Sequence, residues 1–222
     1  MRFVTVGLKE LKFWNPADAT KRLSQKGTFG TKGAITNFSC ATFDSEGTCY
    51  TAGANGSIYT WDTQSQLDKV LKAHSSEITA LIHEQGKLIS GGRDNKIIIH
   101  STKGGEYTLE KTIELENSNG THPKSLDYYN GKILVGLRNG SIIEIDEATE
   151  EKKVLLASHH EGESWGLEVI PEDRMFLTIG DDNKVMAFDY ANRRFLRQGK
   201  ISEKSQPKNA AKAKSVTAST LS

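Results

Sequence analysis

The chain has 222 residues, and its 29 basic and 28 acidic side chains leave a formal net charge of +1. A balance this even creates no global positive field, which gives no reason to expect a nucleic-acid partner. No run of about 18 apolar residues is present, so we expect no membrane span. The first residues lack the charged-then-apolar layout of a signal peptide, and we therefore expect a cytoplasmic protein.

A short pattern recurs along the chain: an apolar strand, a turn of small residues, and a second apolar strand that ends in a bulky residue. The copies end at five closing residues, which are Trp14, Trp61, His100, Ile145 and Phe188. They are separated by roughly 40–45 residues, a period typical of β-propeller blades. A propeller is mainly a binding platform, so the repeat directs attention to partners rather than to a substrate.

Further strands are predicted on both sides of these pairs. Candidate inner strands precede four of them, at residues 38–43, 78–82, 125–129 and 165–170. Candidate outer strands follow at residues 69–71 and 153–156, and turn signals such as Asn130-Gly131 separate first and second strands. Since four strands make one blade, we predict an all-β, incomplete propeller of about four to five blades, one of them only a strand pair.

The last part of the chain differs in composition. From residue 199 onward it is a low-complexity segment rich in Lys, Ser and Ala, which has too little apolar surface to fold alone. We predict a partial propeller over residues 1–198 and a disordered linker or tail over residues 199–222. An open array of blades leaves unpaired strand edges, so we expect either a fragment of a longer protein or another chain that completes the ring.

A second periodicity supports the repeat. A short polar residue that can hydrogen-bond its own turn backbone lies six residues before four closing positions, at Asn55, Asp94, Asn139 and Asp182. In WD-repeat blades this position is an Asp that holds a His near the start of the blade. We expect His74 and His159 to occupy that place, with Ser90 or Thr178 as a hydroxyl relay. Trp closes only the first two copies, at Trp14 and Trp61, so we predict a degenerate WD-repeat protein whose blades are held more by packing than by this network.

Several longer phrases resemble the echinoderm microtubule-associated protein-like (EML) family. They include FVTVGLKELKFW at residues 3–14, KGTFG at 26–30, NGSIYTW at 55–61, ILVGLRN at 133–139 and HHEGESWGL at 159–167. The matches keep the family order over residues 1 to about 190. The resemblance implies part of the first of two fused propellers, and a protein that binds microtubules and related structures such as ciliary axonemes. The hydrophobic motif and coiled coil that precede the family's propellers are not found in this sequence.

Patterns that suggest catalysis have plainer explanations. Adjacent side chains on an extended chain point to opposite faces, so His159 and His160 cannot easily share a metal ion; we expect His160 to face solvent. Ser90 lacks the surroundings of a nucleophile elbow, and no phosphate-binding loop is present. We therefore predict no catalytic residue, metal, cofactor or small-molecule substrate. With no secretory signal, Cys40 and Cys49 are expected to be reduced thiols.

Two groups of residues are candidates for partner binding. The loop with Glu161, Glu163 and Trp165 is expected on the propeller rim, although Trp165 can also be read as packing between blades. The second group is basic and consists of Lys21, Arg22, Lys26 and Lys32 on the long loop after Trp14, and Arg193, Arg194, Arg197, Lys200, Lys204, Lys208, Lys212 and Lys214 near the C-terminus. Such charges attract the acidic tails of tubulin in a salt-sensitive way, but they are equally compatible with a solvated linker. Aromatic residues are not interleaved with the lysines, which argues against nucleic-acid binding.

These observations predict a non-catalytic interaction module of the cytoskeleton, with microtubules, tubulin or axonemal proteins as partners, in the cytoplasm or a cilium. The alternative is a general WD-repeat scaffold in a soluble complex, such as a signalling or ubiquitin-ligase assembly. Salt-sensitive binding to polymerised tubulin distinguishes the two.

Overall fold

A computed structural model of the chain describes residues 2–15, 24–115, 121–157, 160 and 163–201. The chain divides into two compact units, Met1–Ser158 and His159–Ser222. Apart from two single turns of 3-10 helix, at Lys103–Gly105 and Pro171–Asp173, the regular structure of the described residues is β-strand. The predicted all-β fold is therefore confirmed.

The described strands of the first unit form four antiparallel sheets, each a meander in which strands adjacent in sequence are hydrogen-bonded. The strands are β1 (Phe3–Gly7), β2 (Glu10–Trp14) and β3 (Ser24–Lys26) in the first sheet; β4 (Phe38–Phe43), β5 (Cys49–Gly53), β6 (Ser57–Trp61) and β7 (Leu67–Lys72) in the second; β8 (Ile78–Glu84), β9 (Lys87–Gly92), β10 (Lys96–Ser101) and β11 (Thr108–Glu114) in the third; and β12 (Pro123–Tyr129), β13 (Lys132–Leu137), β14 (Ile142–Asp146) and β15 (Lys152–Leu156) in the fourth. These sheets are the predicted blades.

The second unit contains one further antiparallel sheet. Its strands are β16 (Ser164–Ile170), β17 (Met175–Gly180), β18 (Lys184–Asp189) and β19 (Arg194–Lys200). Strand β19 extends two residues beyond the predicted boundary at residue 198. Arg194, Arg197 and Lys200 thus belong to an outer strand and not to a linker.

The third sheet shows why these segments form strands. Three consecutive β-branched residues, Ile97 to Ile99, occupy the centre of β10, and all three are buried. A continuous apolar run of this kind is typical of a strand covered on both faces. Ile97 and Ile99 pack with Ile133 and Ile145 of the fourth sheet, so the core of this unit lies between its sheets.

The predicted Asn-Gly turn is present, and its backbone angles are ones that these two residues adopt easily. Asn130 and Gly131 join β12 to β13 with φ values of 46° and 77°. Two successive positive φ values match the right-handed twist of a tight hairpin, and Asn-Gly adopts them at low cost.

The first sheet corrects one prediction. Lys26 was expected on a long loop, but it lies in β3, which pairs with β2. The next residue, Gly27, has no room for a side chain, because a Cβ atom there would lie 2.6 Å from Cδ2 of Leu11. Phe29 then packs edge-on against Trp61, with ring centroids 5.0 Å apart. This segment therefore closes the junction between the first and second sheets.

The first strand of a sheet is here called its inner strand. The inner strands of the last four sheets each contain a β-bulge at their second residue, at Ser39, Thr79, Lys124 and Trp165. In the first unit, the hydroxyl of Ser39 donates to the carbonyl of Ile78, and that of Thr79 donates to the carbonyl of Pro123 at 2.5 Å. These bonds tie successive inner strands together and bring the loops at their starts side by side.

Candidate interaction surface

The short polar residues of the second periodicity lie in the turns between the second and third strands of their sheets. Asn55 Oδ1 accepts the amide of Ser57 at 3.1 Å, and Asn139 Oδ1 accepts the amide of Ser141 at 3.0 Å. Asp182 Oδ1 accepts the amide of Lys184 at 3.1 Å. Each side chain thus closes its own turn.

In the third sheet the structure brings together His74, Ser90 and Asp94. Asp94 Oδ1 lies 2.8 Å from Nδ1 of His74, and Ser90 Oγ lies 2.9 Å from Nε2 of the same ring. The second carboxylate oxygen of Asp94 accepts the amide of Ser75 at 3.0 Å. The histidine therefore connects the segment that precedes the sheet to strand β9 and to the turn between β9 and β10.

The charge state of this network follows from its burial. Burial lowers the pKa of His74, and the hydrogen bond to Asp94 only partly opposes this effect. Burial alone would raise the pKa of Asp94, but the bonds from His74 and from the amide of Ser75 outweigh it and hold that pKa below its ordinary value. At neutral pH a neutral imidazole thus donates from Nδ1 to an ionised carboxylate and accepts the Ser90 hydroxyl at Nε2.

The network is closed to solvent. His74 is 1% exposed and Ser90 is 0% exposed, so a substrate has no access to the hydroxyl. A buried, fully bonded His–Ser–Asp array stabilises the junction of strands, as the repeat pattern predicts for His74.

The second unit repeats this arrangement with a different histidine from the one expected. His160 Nδ1 lies 2.7 Å from Asp182 Oδ1, and its Nε2 lies 2.9 Å from Thr178 Oγ1. The sequence pattern predicts His159 at this place and a solvent-facing His160, but His160 is only 9% exposed. His159 lies outside the described residues.

His160, and not His159, occupies this place because of its distance along the chain from the inner strand. His74 lies four residues before Ile78, the first residue of β8, and His160 lies four residues before Ser164, the first residue of β16. A glycine ends the second strand in both sheets and leaves room for the ring: a Cβ atom at Gly180 would lie 2.3 Å from His160. Counting four residues back identifies His160 only once the strand is known to start at Ser164, one residue before the predicted strand.

The closing positions differ between sheets. The indole N–H of Trp14 donates to Thr5 at 3.0 Å, and that of Trp61, which is fully buried, donates to Thr51 at 2.9 Å. His100 occupies the corresponding position of the third sheet, since it pairs with Leu88 as Trp61 pairs with Cys49. Its smaller ring borders a cavity of about 310 Å³, and its buried Nδ1 has no hydrogen-bond partner among the described residues.

The acidic loop with Trp165 is only partly described, since Glu161 lies outside the described residues. The amide of Glu163 donates to Asp181 at 3.0 Å, and the indole N–H of Trp165 donates to the same carboxylate. Trp165 is 63% exposed, and Leu167 and Val169, farther along β16, are 67% and 49% exposed. The indole of Trp165 thus lies on the surface of the second unit.

The predicted basic residues that the structure describes belong to both units. Lys26 and Lys32 are exposed in the first unit, and Lys32 lies 3.5 Å from Asp68. Arg193, Arg194, Arg197 and Lys200 are exposed in the second unit, where Arg194 pairs with Asp189 at 3.6 Å. Six further residues of the group lie outside the described residues; they are Lys21, Arg22, Lys204, Lys208, Lys212 and Lys214.

A cationic cluster that sequence reasoning missed lies in the first unit. It consists of Arg93, Lys124 and Arg138, all exposed, and is here called the cationic patch. Arg93 and Arg138 each precede the polar residue of a turn, Asp94 and Asn139. This shared position in the repeat was the signal available in the sequence.

Among residues 2–15, 24–115, 121–157, 160 and 163–201, no group of three or more His, Cys, Asp or Glu is placed to hold a metal ion. No helix within these ranges has the length and apolar character needed to cross a membrane. Cys40 and Cys49 are free thiols, and burial raises their pKa values to about 11 and about 12.

Comparisons with known proteins agree with this architecture. Residues 65–101, which end on β10, match the family model "WD domain, G-beta repeat". The chain is 40% identical over 215 residues to the ciliary WD repeat-containing protein ctxp80 of Euplotoides octocarinatus, a match that covers 96% of this chain and 28% of that protein.

More distant relatives are the 77 kDa echinoderm microtubule-associated protein of Lytechinus variegatus and the human echinoderm microtubule-associated protein-like 2. Both are 26% identical, over 85% and 82% of this chain, and the chain spans 28% of the length of each. Among solved structures, the crystal structure of the computationally designed Ika8 protein matches 89% of this chain and 58% of its own, with a TM-score of 0.55 at 17% identity. At this level of identity, the similarity to the Ika8 protein shows the fold alone.

Proposed function

Since this chain is a WD-repeat protein related to the ciliary and echinoderm microtubule-associated proteins, we propose that it is a non-catalytic interaction module that binds microtubules or axonemal proteins. The observation that carries the proposal is the 40% identity to a ciliary protein across 96% of this chain. A match of this extent leaves only about 4% of this chain outside it.

The chemistry of the described residues supports a binding role. The hydroxyl and imidazole groups that resemble a catalytic set are buried within the third sheet, whereas exposed charged and aromatic side chains lie on turns and strand ends. Rigid sheets that hold such loops in fixed positions select partners by shape and charge.

The proposal places the protein in the cytoplasm, on the cytoskeleton or in a cilium. The exposed basic residues, including Arg193 and Arg197, and the Lys-rich residues 199–222 would add salt-sensitive attraction to an acidic filament surface. The chain spans only 28% of its relatives' length. We therefore include in the proposal that the propeller is completed either by further sequence or by another chain.

Co-sedimentation with stabilised microtubules, at low and at moderate salt, tests this proposal. Circular dichroism should first establish that the chain is folded. We expect the chain to pellet with microtubules and to be released as the salt concentration rises. A folded chain that stays in the supernatant at low salt would contradict direct microtubule binding and favour the general WD-repeat scaffold.

A further inference from the structure

The cationic patch is assembled from three separate turns and strand ends of the first unit. Arg93 lies in the turn after β9, Lys124 is the bulged residue of β12, and Arg138 lies in the turn after β13. In the sequence they are spread over the third and fourth repeats, and only the packing of the two sheets makes them neighbours.

Two direct contacts fix this arrangement. The amide of Arg138 donates to the carbonyl of His122 at 3.0 Å, which places the turn after β13 against the start of β12. Pro123 packs on Gly91, where a Cβ atom would lie only 2.7 Å from the proline ring. Arg93 follows Gly91 by two residues, and Lys124 follows Pro123 directly. Arg93 and Arg138 therefore both lie beside the segment 122–124, which itself contains Lys124.

The local charge is strongly unbalanced. Arg93 lies 3.3 Å from the carboxylate of Glu77. Neither Lys124 nor Arg138 has an ion pair with any carboxylate of the described residues. Within the described residues, three cations therefore face one acid, in a chain whose net charge is only +1.

A polar group with an unmet hydrogen bond lies within the same cluster. His122 is 6% exposed, and its buried Nε2 has no partner in the part of the chain that the structure describes. Burial first, and then the charges of Arg93, Lys124 and Arg138, lower the pKa of His122. A negatively charged ligand on the surface beside His122 would relieve the repulsion among the three cations.

We propose that the cationic patch is a docking site for an acidic peptide segment of the partner, with Arg93, Lys124 and Arg138 binding its carboxylates. The inference rests on the proposed function, because it assigns the contact between this chain and its filament partner to one surface. Arginine suits the role, since its planar guanidinium can donate two parallel hydrogen bonds to one carboxylate. The patch carries no exposed aromatic residue of its own on which nucleic-acid bases would stack.

Fluorescence anisotropy with a fluorescein-labelled hexaglutamate peptide tests the proposal on the full chain. The patch variant carries Arg93→Glu, Lys124→Glu and Arg138→Glu. The matched control carries Lys103→Glu, Lys152→Glu and Lys153→Glu, three exposed lysines of the same unit that change the net charge equally. We expect the patch variant to bind the peptide at least about tenfold more weakly than the wild type, and the control to lose less than about threefold.

The outcomes are distinguishable. Equal losses in both variants would reveal a net-charge effect and overturn the proposal, as would absence of peptide binding by the folded wild type at low salt. Tighter patch-dependent binding of a labelled oligo-dT would assign the patch to nucleic acid instead. Microtubule pelleting of the same variants separates this inference from the proposed function. Unchanged pelleting of the patch variant contradicts the patch alone, whereas patch-dependent peptide binding without pelleting contradicts only the microtubule proposal.

Discussion

The hydroxyl of Thr79 lies 2.5 Å from the carbonyl oxygen of Pro123 and thereby joins the inner strands of the third and fourth sheets. The same hydroxyl also lies 3.2 Å from the carbonyl of Gly91 in its own sheet. One side chain at a bulge thus connects three strands, and the cationic patch depends on the junction that it holds.

Replacing Thr79 by Val keeps the shape of the side chain but removes this donor. We expect Thr79→Val to lower the free energy of unfolding by about 1 kcal/mol, because the carbonyl of Pro123 loses its partner at a part-buried site. Urea denaturation followed by circular dichroism measures the change. Thr63→Val, at an exposed threonine, is the control, and equal stability of both variants would show that the inter-sheet bond contributes nothing.

The stability of the first unit should fall in mild acid. Burial lowers the pKa values of His74, His100 and His122 from an ordinary value of 6.5. A histidine whose folded pKa is depressed takes up its proton preferentially in the unfolded state, so stability decreases as the pH falls below the unfolded pKa. Between about pH 7.5 and about pH 5.5 we expect a loss of about 1 kcal/mol per buried histidine.

Urea denaturation at the two pH values measures this loss. The variant His100→Phe removes one of the three titrating groups and should show a smaller pH dependence than the wild type. Identical pH dependence in both proteins would mean that His100 titrates normally in the folded state.

The closing position of the third sheet offers a stabilising substitution. Ser90 pairs with Ile98 as Thr51 pairs with Tyr59, so an indole at position 100 has an equivalent hydroxyl to bond. We expect His100→Trp to raise the free energy of unfolding by about 1 kcal/mol, because the ring fills the neighbouring cavity and removes an unpaired buried nitrogen. A lowered urea midpoint would mean that the indole does not fit. Thr63→Trp, on the exposed surface, controls for added apolar area.

The exposed acidic loop of the second unit should matter for binding and not for folding. Glu163→Ala and Trp165→Ala remove side chains that are exposed, and we expect the free energy of unfolding to change by less than about 0.5 kcal/mol. We expect weaker pelleting with microtubules, since an exposed indole is an effective anchor for a partner. Leu109→Ala, at a residue that is 61% exposed in the other unit, is the control, and unchanged pelleting of both loop variants would exclude the loop from the contact.

Particular elements show what the sequence could and could not predict. Strands β5, β6, β9 and β10 combine apolar and β-branched residues and are bounded by turn residues, a pattern that predicts strands from the sequence alone. Strand β3, with the sequence Ser-Gln-Lys, has no apolar pattern and forms because β2 presents an unpaired edge. Strand β19 also lacks a clear apolar pattern. Its charged residues resemble those of a linker in the sequence, and its pairing with β18 is seen only in the structure.

The functional surface was harder to predict than the fold. His74 could be placed because its position relative to the strand is regular, and His160 was missed because the adjacent His159 offered an equivalent side chain one residue away. The cationic patch joins residues from two repeats, and the feature that unites them is the packing of Pro123 on Gly91. Contacts of this kind have no local signature in a single sequence.

The hydroxyl links between inner strands also have a direction. Ser39 and Thr79 are the donors, and their acceptors belong to the sheet that comes later in the chain. During synthesis each donor therefore leaves the ribosome before its acceptor, and a finished sheet can serve as the template on which the next one docks. Assembly in the order of translation would keep the exposed edge of the growing array limited to its newest sheet.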